Sequence, residues 1–137
     1  MTTIIDTSVA LKWVLPEKFS DEAYDLRNAR LAASEILLVE SANALWRHVV
    51  VGRVLPDDAA KALQRIADAG VEFFPIGPDI QSALALGLRL RHPIYDCLYL
   101  AAAIRERAHL ITADTRFAAA VRRHGDLKGY IRVLGES

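Results

Sequence analysis

The sequence predicts an α/β domain with a parallel sheet covered on both faces by helices. Short β-branched or apolar runs recur along the chain, at Thr3-Ile4-Ile5, Val71-Glu72-Phe73-Phe74, His109-Leu110-Ile111-Thr112 and Tyr130 to Leu134. Between them stand segments with helical periodicity and helix start signals. Alternation of this kind calls for parallel strands joined by helical crossovers. The chain has 137 residues, 53% hydrophobic and 25% charged, which suits one domain over 1–137 with a core of its own.

Taken in order, Thr3-Ile4-Ile5 is a first strand that ends at Asp6. Ser8 to Leu15 reads as a short helix closed by Pro16. Ser20 reads as an N-cap, with Asp21 and Glu22 in the first turn opposing the helix dipole, and this helix reaches Asn28. Arg30 to Ala33 fits a brief strand, although Leu-Ala-Ala suits a helix at least as well. Ser34 then caps a longer helix with Glu35 in its first turn. Leu37, Glu40, Ala44 and Val51 share one face of it, and Leu38, Leu45 and Val49 an adjoining one. Pro56, followed by Asp57 and Asp58, starts the next helix, and Gly70 ends it. After the strand Val71 to Phe74, Pro78 and Asp79 open a helix to Leu90. Pro93 opens another, Ile94 to Arg107, apolar over most of its circumference and so packed deep in the molecule. The strand His109 to Thr112 leads to Ala113-Asp114. A helix from Phe117 to Arg123 ends at Gly125, and Tyr130 to Leu134 is the last strand.

Composition narrows the function. The 17 basic and 17 acidic residues cancel, which excludes a basic nucleic-acid-binding tail and a long acidic one. The single cysteine, Cys97, excludes an internal disulfide framework and a cysteine-built zinc site. No apolar run approaches the roughly 20 residues that span a bilayer. The start, Met1 to Asp6, lacks the basic stretch of a signal peptide, so the expected compartment is the cytoplasm, with no membrane partner. The neutral total hides an asymmetry: from Arg89 to Arg132 there are nine basic residues and four acids. Arginine forks suit phosphate, and solvated helix faces would also account for them.

Parallel α/β sheets bind ligands outside the carboxyl ends of their strands, where strand order reverses. Asp6 follows the first strand and Asp114 lies two residues past Thr112, so both point into one crevice if these strands are neighbours. Glu40 and Asp96 are acids within largely apolar helices. Each has a plain structural reading: capping for Asp6 and Asp114, a first-turn dipole contact for Asp96, an exposed helix edge for Glu40. Their joint occurrence points to one acidic pocket. Carboxylates brought together repel unless a cation neutralises them. Oxygen donors without histidine or thiol favour Mg²⁺ or Mn²⁺, and such a site suits phosphodiester chemistry.

Four motifs carry a resemblance. They are Ile4-Ile5-Asp6-Thr7-Ser8, Leu38-Val39-Glu40-Ser41-Ala42-Asn43-Ala44-Leu45-Trp46-Arg47, Ile94-Tyr95-Asp96-Cys97-Leu98-Tyr99-Leu100-Ala101 and Leu110-Ile111-Thr112-Ala113-Asp114-Thr115-Arg116-Phe117. In this order, over nearly the whole chain, they resemble the PIN-domain ribonucleases, and most closely the VapC-type toxins of bacterial toxin–antitoxin pairs. The resemblance implies a three-layer α/β/α sandwich with a parallel sheet of about five strands. It implies that Asp6, Glu40, Asp96 and Asp114 form the metal-holding catalytic pocket for Mg²⁺ or Mn²⁺. Ser8, Asn43 and Thr112 match supporting positions. Ser34 stands where many relatives have proline, and Cys97 where alanine is usual; Cys97 reads as a small buried hydrophobe.

The reaction this implies is metal-assisted hydrolysis of RNA, with water as nucleophile and Arg89, Arg91, Arg116, Arg122 and Arg123 as candidate contacts to the RNA backbone. The implied partners are RNA, a VapB-type antitoxin and a second copy of the chain, giving a homodimer and, with antitoxin, a heterotetramer or larger. Trp13, Leu15, Phe19, Trp46 and Val50 are either an antitoxin surface or core. Two rivals, a receiver-like phosphoacceptor domain and a haloacid dehalogenase, fit worse. A receiver domain needs an acid pair after the first strand and a lysine after the last, and a haloacid dehalogenase needs an acid at position 8, which is serine. A PIN fold kept only as a binding module is the remaining alternative.

Overall fold

Ile4 and Ile5, both fully buried, close the central strand of a five-stranded parallel sheet. The computed structural model describes residues 2–136. The strands are β1 (Thr2–Ile5), β2 (Arg30–Ser34), β3 (Glu72–Phe74), β4 (His109–Thr112) and β5 (Ile131–Val133), in the order β3-β2-β1-β4-β5. All neighbouring pairs are parallel. Among the described residues seven α-helices join them: α1 (Thr7–Ala10), α2 (Ser20–Asp25), α3 (Ile36–Val50), α4 (Pro56–Ala67), α5 (Ile80–Leu90), α6 (Ile94–Glu106) and α7 (Thr115–Arg122).

The chain steps from β1 to β2 to β3 in one direction, then returns across the sheet to β4 and β5. Right-handed crossovers therefore put α1 to α4 on one face and α5 to α7 on the other. The three-layer α/β/α architecture is the one the alternation and the resemblance led us to expect. Helix α6 is the deep helix: Cys97 through Ala103 are all buried, and it packs on β1, β2 and β4. The doubtful segment around Leu31-Ala32-Ala33 is a strand. Its backbone groups are taken up by β1 on one side and β3 on the other, which overrides its helical propensity.

Several element boundaries differ from the sequence reading for local reasons. The first helix begins at Thr7, because Asp6 is its cap and accepts from the Val9 N–H; a 3₁₀ turn, Leu11–Trp13, carries it on towards Pro16. Ser20 is not a cap. Phe19 holds that position at a left-handed φ of 65°, and the Ser20 hydroxyl donates to the Glu17 carbonyl over 2.8 Å. Ser34 ends β2, and Glu35 takes the cap position of α3, where its carboxylate accepts from the Ile76 N–H over 3.1 Å. Asp79 stands at the N-cap position of α5, as the opening Pro78-Asp79 suggested, but its side chain makes no capping hydrogen bond. It is buried and accepts two hydrogen bonds from Arg105, over 2.8 and 3.0 Å. Helix α7 starts at Thr115, two residues before Phe117, because Asp114 caps it. The five bulky apolar residues divide: Trp13 and Leu15 are core, while Phe19, Trp46 and Val50 are exposed.

Candidate active site

The strand order reverses between β1 and β4, and the register pairs Ile5 with Ile111. Asp6 and Thr112 are therefore the next residues of adjacent strands, at the carboxyl end where such sheets bind ligands. Asp6 is 4% exposed. Its Oδ1 accepts from Ser8 Oγ and its Oδ2 from Thr112 Oγ1, each over 2.5 Å. The two hydroxyls are themselves anchored: Ser8 Oγ accepts from the Ala113 N–H over 2.8 Å, and Thr112 Oγ1 from the Asp114 N–H over 3.0 Å. One network thus ties the end of β1 to the loop after β4.

Burial pushes the Asp6 carboxyl up to about 7. Hydrogen bonds from Ser8 and Thr112 oppose that shift, and the charge of Asp96 adds to it, so Asp6 and Asp96 act on each other electrostatically. Asp96 stands in the first turn of α6. Its Oδ2 lies 2.6 Å from His92 Nε2, and the His92 ring packs 4.7 Å from that of buried Phe117.

Glu40, half-buried on α3, is held by two hydroxyls. Tyr99 Oη donates to its Oε1 over 2.5 Å, and Thr7 Oγ1 donates to the same oxygen over 3.1 Å. Asp114 caps α7, its Oδ1 accepting from the N–H groups of Arg116 and Phe117 over 3.0 Å each. The three carboxylates share a pattern. Each of Glu40, Asp96 and Asp114 has one oxygen held by the protein and the other without a hydrogen-bond partner among the described residues.

The arrangement differs from a ready-made four-carboxylate cage. Among the described residues no three His, Cys, Asp or Glu side chains are placed to hold a metal ion. Each acid is instead hydrogen-bonded to a neighbouring side chain or backbone group. The donor chemistry nevertheless suits a hard divalent cation, since Mg²⁺ is commonly bound through one or two carboxylates and otherwise keeps its waters. Cys97, beside Asp96, is buried, and burial pushes its thiol up to about 12, which fits an inert packing residue.

The supporting and basic candidates are distributed unevenly. Asn43 is exposed and lines a groove of about 610 Å³ with Thr7, Ser8, Glu40, Arg47 and Tyr95. A larger groove, about 690 Å³, lies near α2 and β5 and holds none of the four carboxylates. Arg89 is paired with Asp126 and Arg122 with Glu136, whereas Arg91, Arg116 and Arg123 are exposed and in no ion pair among the described residues. The sequence reading did not single out Thr7, Tyr99, His92 or Arg47. Only His92 leaves a local signal, four residues before Asp96 across a helix start.

Residues 3–122 match the family model of the PIN domain. Ribonuclease VapC3 of Pyrobaculum aerophilum is 27% identical in an alignment of 127 residues that takes in 86% of this chain and 93% of that protein. Among solved structures, PAE2754 from Pyrobaculum aerophilum superposes with a TM-score of 0.74 at 22% identity, over 98% of this chain and 84% of that one. VapBC2 from Rickettsia felis, bound to a DNA fragment from its promoter, gives 0.64 at 17% identity, over 97% of this chain and 98% of that one. A toxin–antitoxin complex from Klebsiella pneumoniae gives 0.58 at 23% identity, over 83% and 88%.

Proposed function

The chain belongs to the PIN-domain family, and we propose that within it the protein is a Mg²⁺- or Mn²⁺-dependent endoribonuclease, the toxin of a toxin–antitoxin pair. The observation that supports this reading is that Glu40, Asp96 and Asp114 each keep one oxygen without a hydrogen-bond partner among the described residues, while buried Asp6 stands at the sheet's reversal point. Asp6 and Asp96 would hold the ion most directly, with Glu40 and Asp114 completing the acidic set. When bound, such an ion supplies Lewis-acid stabilisation of a phosphodiester and makes water a competent nucleophile.

The chain's own residues fix the geometry. Ser8 and Thr112 orient Asp6, His92 orients Asp96, Tyr99 and Thr7 orient Glu40, and the first N–H groups of α7 orient Asp114. No side chain need act as nucleophile. Arg91, Arg116 and Arg123 are free to meet phosphates, while Arg89 and Arg122 would first have to leave an acid. The name of the Pyrobaculum ribonuclease supports the RNA substrate, and the Rickettsia and Klebsiella structures support a VapB-type antitoxin as inhibitor.

Exposed apolar side chains support protein partners. Trp46, Val50, Val51 and Leu55 are exposed on α3 and the turn after it, and we read them as a surface for antitoxin. Ile80, Leu84 and Leu88 form a stripe on α5 suited to a second copy, hence a homodimer, with a heterotetramer or larger on antitoxin binding. We read residues 1–137 as one PIN domain acting in the cytoplasm; among the described residues no helix is long and apolar enough to cross a membrane. The test is expression with and without the partner encoded beside it, with RNA ends mapped after induction. Growth arrest with new, discrete RNA ends, both suppressed by the partner, is the expected result; no new ends would contradict the reading.

A further inference from the structure

We propose that the groove beside Glu40 is a subsite for one unpaired base of single-stranded RNA, stacked on Tyr95, with an adjoining phosphate held by Arg47. This rests on the ribonuclease reading of the neighbouring carboxylates and extends it to how the RNA is gripped.

The groove, about 610 Å³, lies between α1, α3 and the first turn of α6. That volume falls in the range of roughly 300–1,000 Å³ typical of sites for small ligands, so it suits a nucleotide rather than a duplex. One wall is a stripe on α3: Glu40, Asn43 and Arg47 follow at helical spacing on a single face. Glu40 stands at the acidic end. Arg47 lies two turns on, about 10 Å along the axis. Arg47 is exposed and in no ion pair among the described residues, so its charge is open to an anion.

The other wall is Tyr95, 56% exposed. Among the described residues its ring faces no other aromatic and its hydroxyl makes no hydrogen bond. The contrast with Tyr99, one turn further along α6, is instructive, because Tyr99 is buried and bonded to Glu40. Tyr95 also shares the groove with Glu40, so a base on its ring would bring its backbone beside that carboxylate. Stacking on an open aromatic face beside a basic group is how single strands are gripped, and bases in a duplex have no free face to offer. A protein segment could use the apolar wall at Val39, but the unpaired guanidinium favours a partner with negative charge at that end.

The test is fluorescence anisotropy of a fluorescein-labelled single-stranded RNA about ten nucleotides long, in EDTA so that binding is read without turnover. A series of the same RNA with one abasic position each completes the set. Tyr95→Ala is expected to weaken binding roughly 5- to 100-fold, as loss of one base–aromatic stack does. Tyr95→Phe and Tyr95→Trp should bind like the parent. One abasic position should weaken the parent by a similar factor and leave Tyr95→Ala no weaker. Arg47→Ala should lower the salt slope by about 0.7. Thermal melts of each variant check folding. Parent-like binding by Tyr95→Ala, additive abasic effects, or no RNA binding by the parent would each overturn the subsite. So would a Tyr95→Ala variant that binds RNA normally and loses only a protein antitoxin. Cleavage by the parent in Mn²⁺ separates the two levels. No cleavage sinks the ribonuclease reading itself, whereas intact cleavage with an unaffected Tyr95→Ala sinks only the subsite.

Discussion

Tyr99 Oη lies 2.5 Å from Glu40 Oε1, so a residue of the innermost helix holds a carboxylate of the candidate active site from below. Thr7 Oγ1 stands 2.7 Å from the same phenol. Burial, and then the Glu40 carboxylate, push the Tyr99 hydroxyl well above its ordinary range, so it keeps its proton and remains a donor. Tyr99→Phe keeps the ring and removes the donor. It should lower kcat/KM for RNA roughly 10- to 100-fold, as loss of a ligand's supporting hydrogen bond does. It should cost about 2 kcal/mol of stability. Steady-state cleavage and melts of one preparation check both, and unchanged cleavage would remove Glu40 positioning from the account.

Asp6 gives a pH signature. Its folded-state value, about 7, lies above the ordinary 3.8. Below pH 4 both states hold the proton and the group contributes nothing. Between pH 4 and 7 the folded state keeps a proton that the unfolded state has released, so metal-free stability falls as pH rises. The loss approaches about 4 kcal/mol above pH 7. Asp6→Asn should therefore melt higher than the parent at pH 8 in EDTA, by roughly 10 °C. Mg²⁺ should raise the midpoint of the parent and leave that of Asp6→Asn nearly unmoved. Equal midpoints at pH 8 would contradict the burial argument.

Gly87 sits where α5 passes the segment leading into α6. A Cβ there would lie 2.9 Å from the His92 carbonyl oxygen and 3.0 Å from Ile94 Cγ2. Gly87→Ala should therefore push the segment that carries His92 and leads to Asp96. A loss of about 1–3 kcal/mol in urea denaturation is expected, with weaker RNA cleavage.

Ser41 Oγ is the one buried side-chain polar atom without a partner among the described residues. Ser41→Ala removes that unmet hydroxyl and improves helix propensity. It should raise stability by about 1 kcal/mol and leave cleavage unchanged, although Glu40 is adjacent. A drop in stability on thermal melting would show that the hydroxyl has a partner after all.

The four candidate carboxylates stand out in the sequence because two follow strands and two interrupt apolar helices, patterns set by near neighbours. The order of the sheet then places Asp6 beside Thr112. Residues whose role comes from distant contacts left no such trace. Tyr99 looks like one more apolar residue of α6, and its partner Glu40 is 59 positions away. Asp79 reads only as part of a helix start, yet its side chain pairs with Arg105, 26 positions on. Arg89 and Arg122 read as free cations because Asp126 and Glu136 lie 37 and 14 residues off. The strand at Leu31-Ala32-Ala33 depends on neighbours from both sides of the sheet, which local propensity does not report.

The most direct test is cleavage of RNA by purified protein in Mg²⁺ or Mn²⁺, comparing the parent with Asp6→Asn and Asp96→Asn, each shown to be folded. The account predicts discrete cuts by the parent, none in EDTA, and rates at least 100-fold lower for both variants, since each removes a charged donor to the ion. Cleavage at the parental rate by either folded variant would contradict it.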